Sequence, residues 1–174
     1  MNEGVLYTLA GLAMSFAGFS GLVVTLPTRD DTQTWSPVEL TMLGLLIGDS
    51  LLVLFLALLP VPLALANWSS DWIWTLCSAL LGSWFLVGDF LAVRGEIRDR
   101  RTRQSIPNPV IAPVRYPIYV VAIVMGVVLW LSAWNLVFAR GQALYVLGLM
   151  VLLAFAAVEF LFFVGLVLQQ GKGR

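Results

Sequence analysis

Five apolar stretches, each about as long as a bilayer is thick, dominate this 174-residue chain. Crossing about 30 Å of hydrocarbon takes roughly 20 residues of helix. The runs at 4–26, 37–62, 72–93, 116–138 and 142–168 all reach that length. Inside hydrocarbon the backbone has no water to bond, so each run is expected to satisfy its amides within one helix. Charged residues make up only 11% of the chain, against about 25% in a soluble domain. The sequence therefore reads as an all-α integral membrane protein, a five-transmembrane-helix bundle forming one domain over 1–174. Its largest polar segment is the arginine-rich loop at 94–115.

The basic residues orient the spans. Nine of the ten fall in alternate loops or in the tail: Arg29 after span one, Arg94, Arg98, Arg100, Arg101, Arg103 and Arg115 after span three, and Lys172 and Arg174 after span five. Arg140, after span four, is the exception. Basic loops are retained in the cytoplasm, which places the N-terminus outside and the C-terminus in the cytoplasm. An even number of spans would spoil the alternation. Trp68, Trp72, Trp74, Trp130 and Trp134 then fall at the outer interface and Trp35 at the inner one, where amphipathic rings prefer to lie. Only Trp84 is placed deep in a span. Glu3 is the only charged side chain ahead of span one, so that span is a poor cleavable signal and is expected to be retained. Short loops and heavy arginine usage point to a multi-pass protein of a bacterial inner membrane.

Local signals mark some boundaries. Ser36, Pro37 and Glu39 supply an N-cap, a first helical residue and the third position of a capping box for span two. Pro60 and Pro62 interrupt the far end of that span and predict a kink or a separate short segment. Span three is expected to continue inward as a charged helix, with Glu96–Arg100 and Asp99–Arg103 pairs, until the prolines at 107, 109 and 113. An irregular segment then leads to Tyr116 and Pro117.

Two acids have no basic neighbour in sequence. Asp49 lies twelve residues after Pro37, about 18 Å from the inner surface, and Glu159 ten residues before Gln169, about 15 Å from it. Both are near the bilayer midplane. A charged side chain there costs roughly 3 kcal/mol on insertion scales, so the acids must be neutralised, hydrated or coordinated. A protonated acid bonded to Ser50, Ser15 or a carbonyl is the quiet outcome. A proton or cation site formed by Asp49, Glu159 and Ser50 is the active one. Asp89 differs: it lies only about 7 Å from the inner end of span three and can meet the loop arginines. Gly48-Asp49 and Gly88-Asp89 invite comparison with intramembrane aspartyl proteases. Leu86 stands where the first glycine of the GxGD motif belongs, and depths differing by about 10 Å rule out a shared proton.

Small residues form seams. Gly4, Thr8, Gly11, Ser15, Gly18, Leu22 and Thr25 recur at steps of four and three along span one, which keeps them on one face. Thr75, Ser78, Gly82, Phe85 and Asp89 form a similar line in span three, and Thr41, Gly44 and Gly48 in span two. Such seams let helix backbones approach closely, or line a narrow aqueous path.

With no histidine and one cysteine, Cys77, the chain lacks disulfide frameworks, Cys/His zinc sites and His-based triads, and no cofactor or enzymatic activity is expected. Net charge is zero, which implies no nucleic-acid partner. Arg98, Arg100, Arg101 and Arg103 suit anionic lipid headgroups. Phe155, Phe160, Phe162 and Phe163 allow a lipid or pigment pocket as well as ordinary packing. The expected function is a small homo-oligomeric channel or transporter that passes a cation or protons through Asp49 and Glu159, with Thr8, Ser15 and Ser50 as hydroxyl partners. The alternatives are an accessory subunit of a larger membrane complex and a lipid- or pigment-binding protein.

Overall fold

A computed structural model of the chain describes residues 3–25, 37–102, 112–137 and 141–172. At 23–25, 37–39, 96–102, 112–115 and 166–172, among others, only the helical backbone is described. Among the described residues the chain is helical, without strands. Its elements are α1 (Glu3–Thr25), α2 (Pro37–Leu58), α3 (Pro60–Leu65), α4 (Ser70–Thr102), α5 (Ala112–Ala133) and α6 (Gln142–Lys172).

Four helical segments are long and apolar enough to cross a membrane: Leu43–Leu65, Ser70–Gly95, Tyr116–Ala133 and Gln142–Gly165. These are the apolar helices a multi-pass membrane protein needs. The fifth expected span, α1, shows a shorter apolar stretch among the described residues, Gly4–Phe19.

The breaks have local causes. Pro60 has no N–H to continue α2, so the helix stops at Leu58 and restarts as α3 with Pro60 in its first position. α3 ends in a Schellman motif. Asn67 takes a left-handed conformation (φ 58°), and the Trp68 amide donates to the Leu63 carbonyl at 3.2 Å. α5 ends the same way: Asn135 has φ 53°, and the Leu136 amide donates to the Leu131 carbonyl at 2.9 Å. α5 begins earlier than the sequence predicts. Helix already starts at Ala112, so the segment from Pro113 to Pro117 is not irregular. Prolines are tolerated in a first turn, whose N–H groups have no intrahelical partner. Pro117 lies farther in and removes one bond, to the Pro113 carbonyl. The Ser36 cap, Trp35, the loop residues Arg29 and Arg140, and the prolines at 107 and 109 lie outside the described residues.

The chain divides into two compact units. The first comprises α1, α2 and α6 from Leu149 onward. Its α1 and α2 pack closely together. α1 buries Leu6, Leu9, Ala10 and Ala13, and α2 buries Leu46, Ser50, Val53, Leu56 and Ala57. At 100° per residue, the buried face of α1 lies opposite its glycine-threonine-serine seam. Gly4, Thr8, Gly11, Ser15, Gly18 and Leu22 are all exposed. A Cβ on Gly11, Gly18 or Gly21 would meet nothing within 4 Å, and the same holds for Gly44 and Gly48 of α2. The Thr25 and Thr41 side chains lie outside the described residues.

The second unit comprises α3, α4, α5 and the start of α6 through Gly148. Here the glycine seam does pack. α4 and α5 run antiparallel, with Thr75 near Ala133 and Leu86 near Gly126. A Cβ on Gly82 would lie 2.9 Å from Trp130 Cδ1 and 3.0 Å from the Gly126 carbonyl oxygen. One on Gly126 would lie 2.9 Å from Leu86 Cγ. Each glycine thus occupies space that only a bare backbone can share. Gly148 is similarly closed in by Leu81 and Leu129.

The two seams should respond oppositely to substitution. Gly82→Ala or Gly126→Ala is expected to lower the stability of the detergent-solubilised protein by about 1–3 kcal/mol, the usual cost of overpacking. Gly11→Ala and Gly18→Ala should leave it unchanged or slightly raised, since helix propensity favours alanine. Thermal unfolding of the four variants checks this.

Candidate functional site

The first unit carries the candidate site. Along α6, Leu149, Leu152, Ala156 and Phe163 are buried, and Glu159 fills the position between Ala156 and Phe163 in the same three-four spacing. The acid therefore lies on the core-facing stripe of its helix and is itself half-buried. Along α2, Leu46, Val53 and Leu56 are buried, and Asp49 stands three or four residues from Leu46 and Val53. Ser50, next in the chain, is fully buried on the same side. Asp49 and Glu159, more than a hundred residues apart in sequence, thus stand on two helices of the same unit.

An aromatic contact fixes the neighbourhood. The Phe160 ring lies 6.0 Å from that of Phe16, tilted, and 5.9 Å from that of Phe19, edge-on. Such arrangements suit the ring quadrupoles. They hold α6 against α1 one residue beyond Glu159. Phe163 is buried, so these phenylalanines serve packing inside the unit.

Hydrogen bonding around the acids is incomplete. The Glu159 Oε2 and Ser50 Oγ atoms are buried and have no hydrogen-bond partner among the described residues. Two of the hydroxyls expected to serve the acids are engaged elsewhere. Thr8 donates to the Gly4 carbonyl at 2.8 Å and Ser15 to the Gly11 carbonyl at 2.9 Å, each within its own helix turn and on the exposed face. Ser50 remains the hydroxyl nearest in sequence to the pair. Among the residues of α1, α2 and α6 from Leu149 whose side chains are described, none is basic.

Asp89 belongs to the second unit. It is half-buried on α4, and its Oδ2 atom is buried without a hydrogen-bond partner among the described residues. Arg94, the nearest described arginine in sequence, is exposed. Arg103 and the side chains of Arg98, Arg100, Arg101 and Arg115 lie outside the described residues, as do the Glu96–Arg100 and Asp99–Arg103 pairs.

One polar chain in the second unit has no sequence signal. Trp74 Nε1 donates to Ser70 Oγ at 3.1 Å, and the Trp74 and Tyr145 rings lie 5.9 Å apart. The Tyr145 hydroxyl in turn hydrogen-bonds the buried Cys77 thiol. Trp74 is thus a buried residue, whereas Trp68, Trp72 and Trp134 are exposed. Trp74 and Cys77 share a face of α4 by their spacing, but Tyr145 comes from a different helix that spacing cannot place.

Among the described residues no group of three or more Cys, Asp or Glu comes together. Comparisons with protein-family models, with curated proteins and with solved structures find no match.

A buried hydroxyl without a partner contributes nothing that a methyl group would not, so Ser50→Ala is expected to leave thermal stability unchanged or raised. Glu159→Leu removes both an unpaired oxygen and a like-charge contact, and should raise stability by about 1 kcal/mol or more. Chemical denaturation in a fixed detergent measures both. A clear loss of stability in either variant would show that the group has a partner.

Proposed function

We propose that this chain is a five-span protein of a bacterial inner membrane that passes a cation or protons through Asp49 and Glu159. Its N-terminus lies outside and its C-terminus in the cytoplasm. One observation carries the proposal: α2 and α6 of one unit each hold an acid on a buried stripe, and the Glu159 Oε2 atom is buried without a hydrogen-bond partner among the described residues. Acids within membrane spans mark proton relays and ion paths. Ser50 adds a buried hydroxyl beside Asp49. Asp89 stands toward the inner interface, where Arg98, Arg100, Arg101 and Arg103 engage anionic lipid headgroups. Copies of the chain associate through the exposed face of Thr8, Gly11, Ser15 and Gly18.

That same exposed face favours a second role, as an accessory subunit docked on a larger membrane complex. The space over Gly11, Gly18, Gly44 and Gly48 is open, and small residues on a membrane helix are where another helix approaches most closely.

Reconstitution separates the two. Purified protein in vesicles should give flux that Asp49→Asn or Glu159→Gln reduces to the level of protein-free vesicles, while Gly18→Leu leaves some flux. Absence of flux from well-reconstituted wild-type protein, with co-purification of a defined complex that Gly11→Leu or Gly18→Leu abolishes, would establish the accessory role instead.

A further inference from the structure

We infer that one end of the second unit, the α3–α4 corner together with the end of α5, is a lipid-docking surface. It seats in the ester and headgroup layer of the bilayer and needs no anionic lipid. This inference rests on the membrane-spanning part of the reading above and is independent of transport.

Four apolar segments terminate together at this end. Leu43–Leu65 stops at the corner and Ser70–Gly95 starts there. The Thr75 hydroxyl lies 3.4 Å from the Ala133 carbonyl oxygen, which brings the end of Tyr116–Ala133 alongside. The Tyr145 ring lies 5.9 Å from that of Trp74, so Gln142–Gly165 also begins here. In a bilayer, the common end of such segments lies where hydrocarbon gives way to headgroups.

The surface at this end is apolar and aromatic. Leu65 is 79% exposed, Trp72 66% and Trp134 62%, and Trp68, Leu136 and Val137 are exposed as well. α3 reads Pro-Val-Pro-Leu-Ala-Leu, with no polar side chain, yet Pro60 is its only buried residue. Exposed apolar surface gathered at one place marks a contact with a partner or a membrane. Indole rings suit the ester layer because each joins an apolar body to an N–H donor that can reach lipid oxygens.

The fold sorts the tryptophans by role. Trp74 is buried, and its Nε1 donates inward to Ser70 Oγ at 3.1 Å. Trp130 is half-buried over Gly82 at the α4–α5 crossing. Trp134 stacks on Trp130, with centroids 6.3 Å apart and planes at 23°, so an exposed ring is mounted on that crossing. Trp68 and Trp134 flank the left-handed Asn67 and Asn135. The Trp68 and Leu136 amides fold back onto their helices, which suits turns placed where water is scarce.

Charge names the lipid. Among residues 60–75, 130–137 and 141–148, Asp71 is the only charged side chain, and none is basic. Anionic headgroups are attracted by lysine and arginine, and this end offers neither. Ring burial and indole hydrogen bonds act on any glycerophospholipid, zwitterionic ones included.

Full-length variants that keep one tryptophan, the others changed to phenylalanine, are reconstituted in phosphatidylcholine brominated either near the ester or near the chain end. Proteins keeping Trp68, Trp72 or Trp134 should lose most of their fluorescence to the shallow bromine and little to the deep one. The protein keeping Trp74 should lose little to either. Replacing part of the lipid with phosphatidylglycerol should change nothing. Trp84 is exposed and fourteen residues, about 21 Å, along α4 from Ser70, so the protein keeping it should lose most to the deep bromine. Rings quenched by acrylamide from the water rather than by lipid would overturn the inference and leave this end to a protein partner. Stronger quenching from the deep bromine, or quenching that requires phosphatidylglycerol, would overturn it too. If Trp84 escapes the deep bromine, the membrane-spanning reading itself fails. The wild-type chain gives the same test without substitutions. A phospholipid carrying a photoreactive group near its ester should label peptides containing Trp68, Trp72 and Trp134, and their absence from the labelled set would overturn the inference.

Discussion

The demand that helices this apolar satisfy their polar groups internally is the constraint on which the rest depends. Each amide inside hydrocarbon must find its partner in the chain, and the same demand extends to side chains. Four hydroxyls meet it locally. Thr8, Ser15, Thr75 and Ser83 each donate to the carbonyl four residues earlier. The ends of α3 and α5 meet it with left-handed asparagines that let the following amides fold back onto the last turn. Against that background of local satisfaction, Ser50 Oγ, Glu159 Oε2 and Asp89 Oδ2 are exceptions. Desolvating a polar atom without a partner costs about 1–3 kcal/mol. Natural proteins tend to carry such costs where function needs them.

Close approach of helices is the second theme. Glycine seams occur on α1, α2 and α4, yet among the described residues only the α4 seam meets a neighbouring helix closely. Gly82 and Gly126 face each other so tightly that either Cβ would collide with the partner helix. α1 uses Leu6, Leu9, Ala10 and Ala13 instead and leaves its glycines on the far side. A seam is therefore a capacity for contact, and which partner fills it is decided elsewhere.

These contrasts explain what the sequence could and could not disclose. The apolar runs located the helices because hydrocarbon thickness fixes their length. The proline pair at 60 and 62 announced the break between α2 and α3, since a missing N–H acts locally. Prolines misled at the start of α5, because a first turn tolerates them. The rise per residue gives Asp49 and Glu159 similar expected depths. Thr8 and Ser15, expected as their hydroxyl partners, donate within their own turns on the exposed face, and the leucine-alanine stripe and the glycine stripe of α1 have the same period. Nothing in one helix says which of its two faces meets a neighbour. The Trp74–Tyr145–Cys77 contacts were invisible for a related reason, as they join helices that no local signal aligns.

α4 has a mechanical consequence of its own. Its 33 residues make a rod about 50 Å long, against roughly 30 Å of hydrocarbon. No proline interrupts it, and its middle is clamped against α5 at the Gly82–Gly126 crossing. Such a rod behaves as a lever with its fulcrum at the crossing. From Gly82 to Thr102 the arm is about 30 Å, so a change in tilt of about 10° sweeps the charged end through roughly 5 Å. Tilt is how membrane helices accommodate bilayer thickness. In a bilayer, a change in thickness would therefore translate into lateral displacement of the far end of α4.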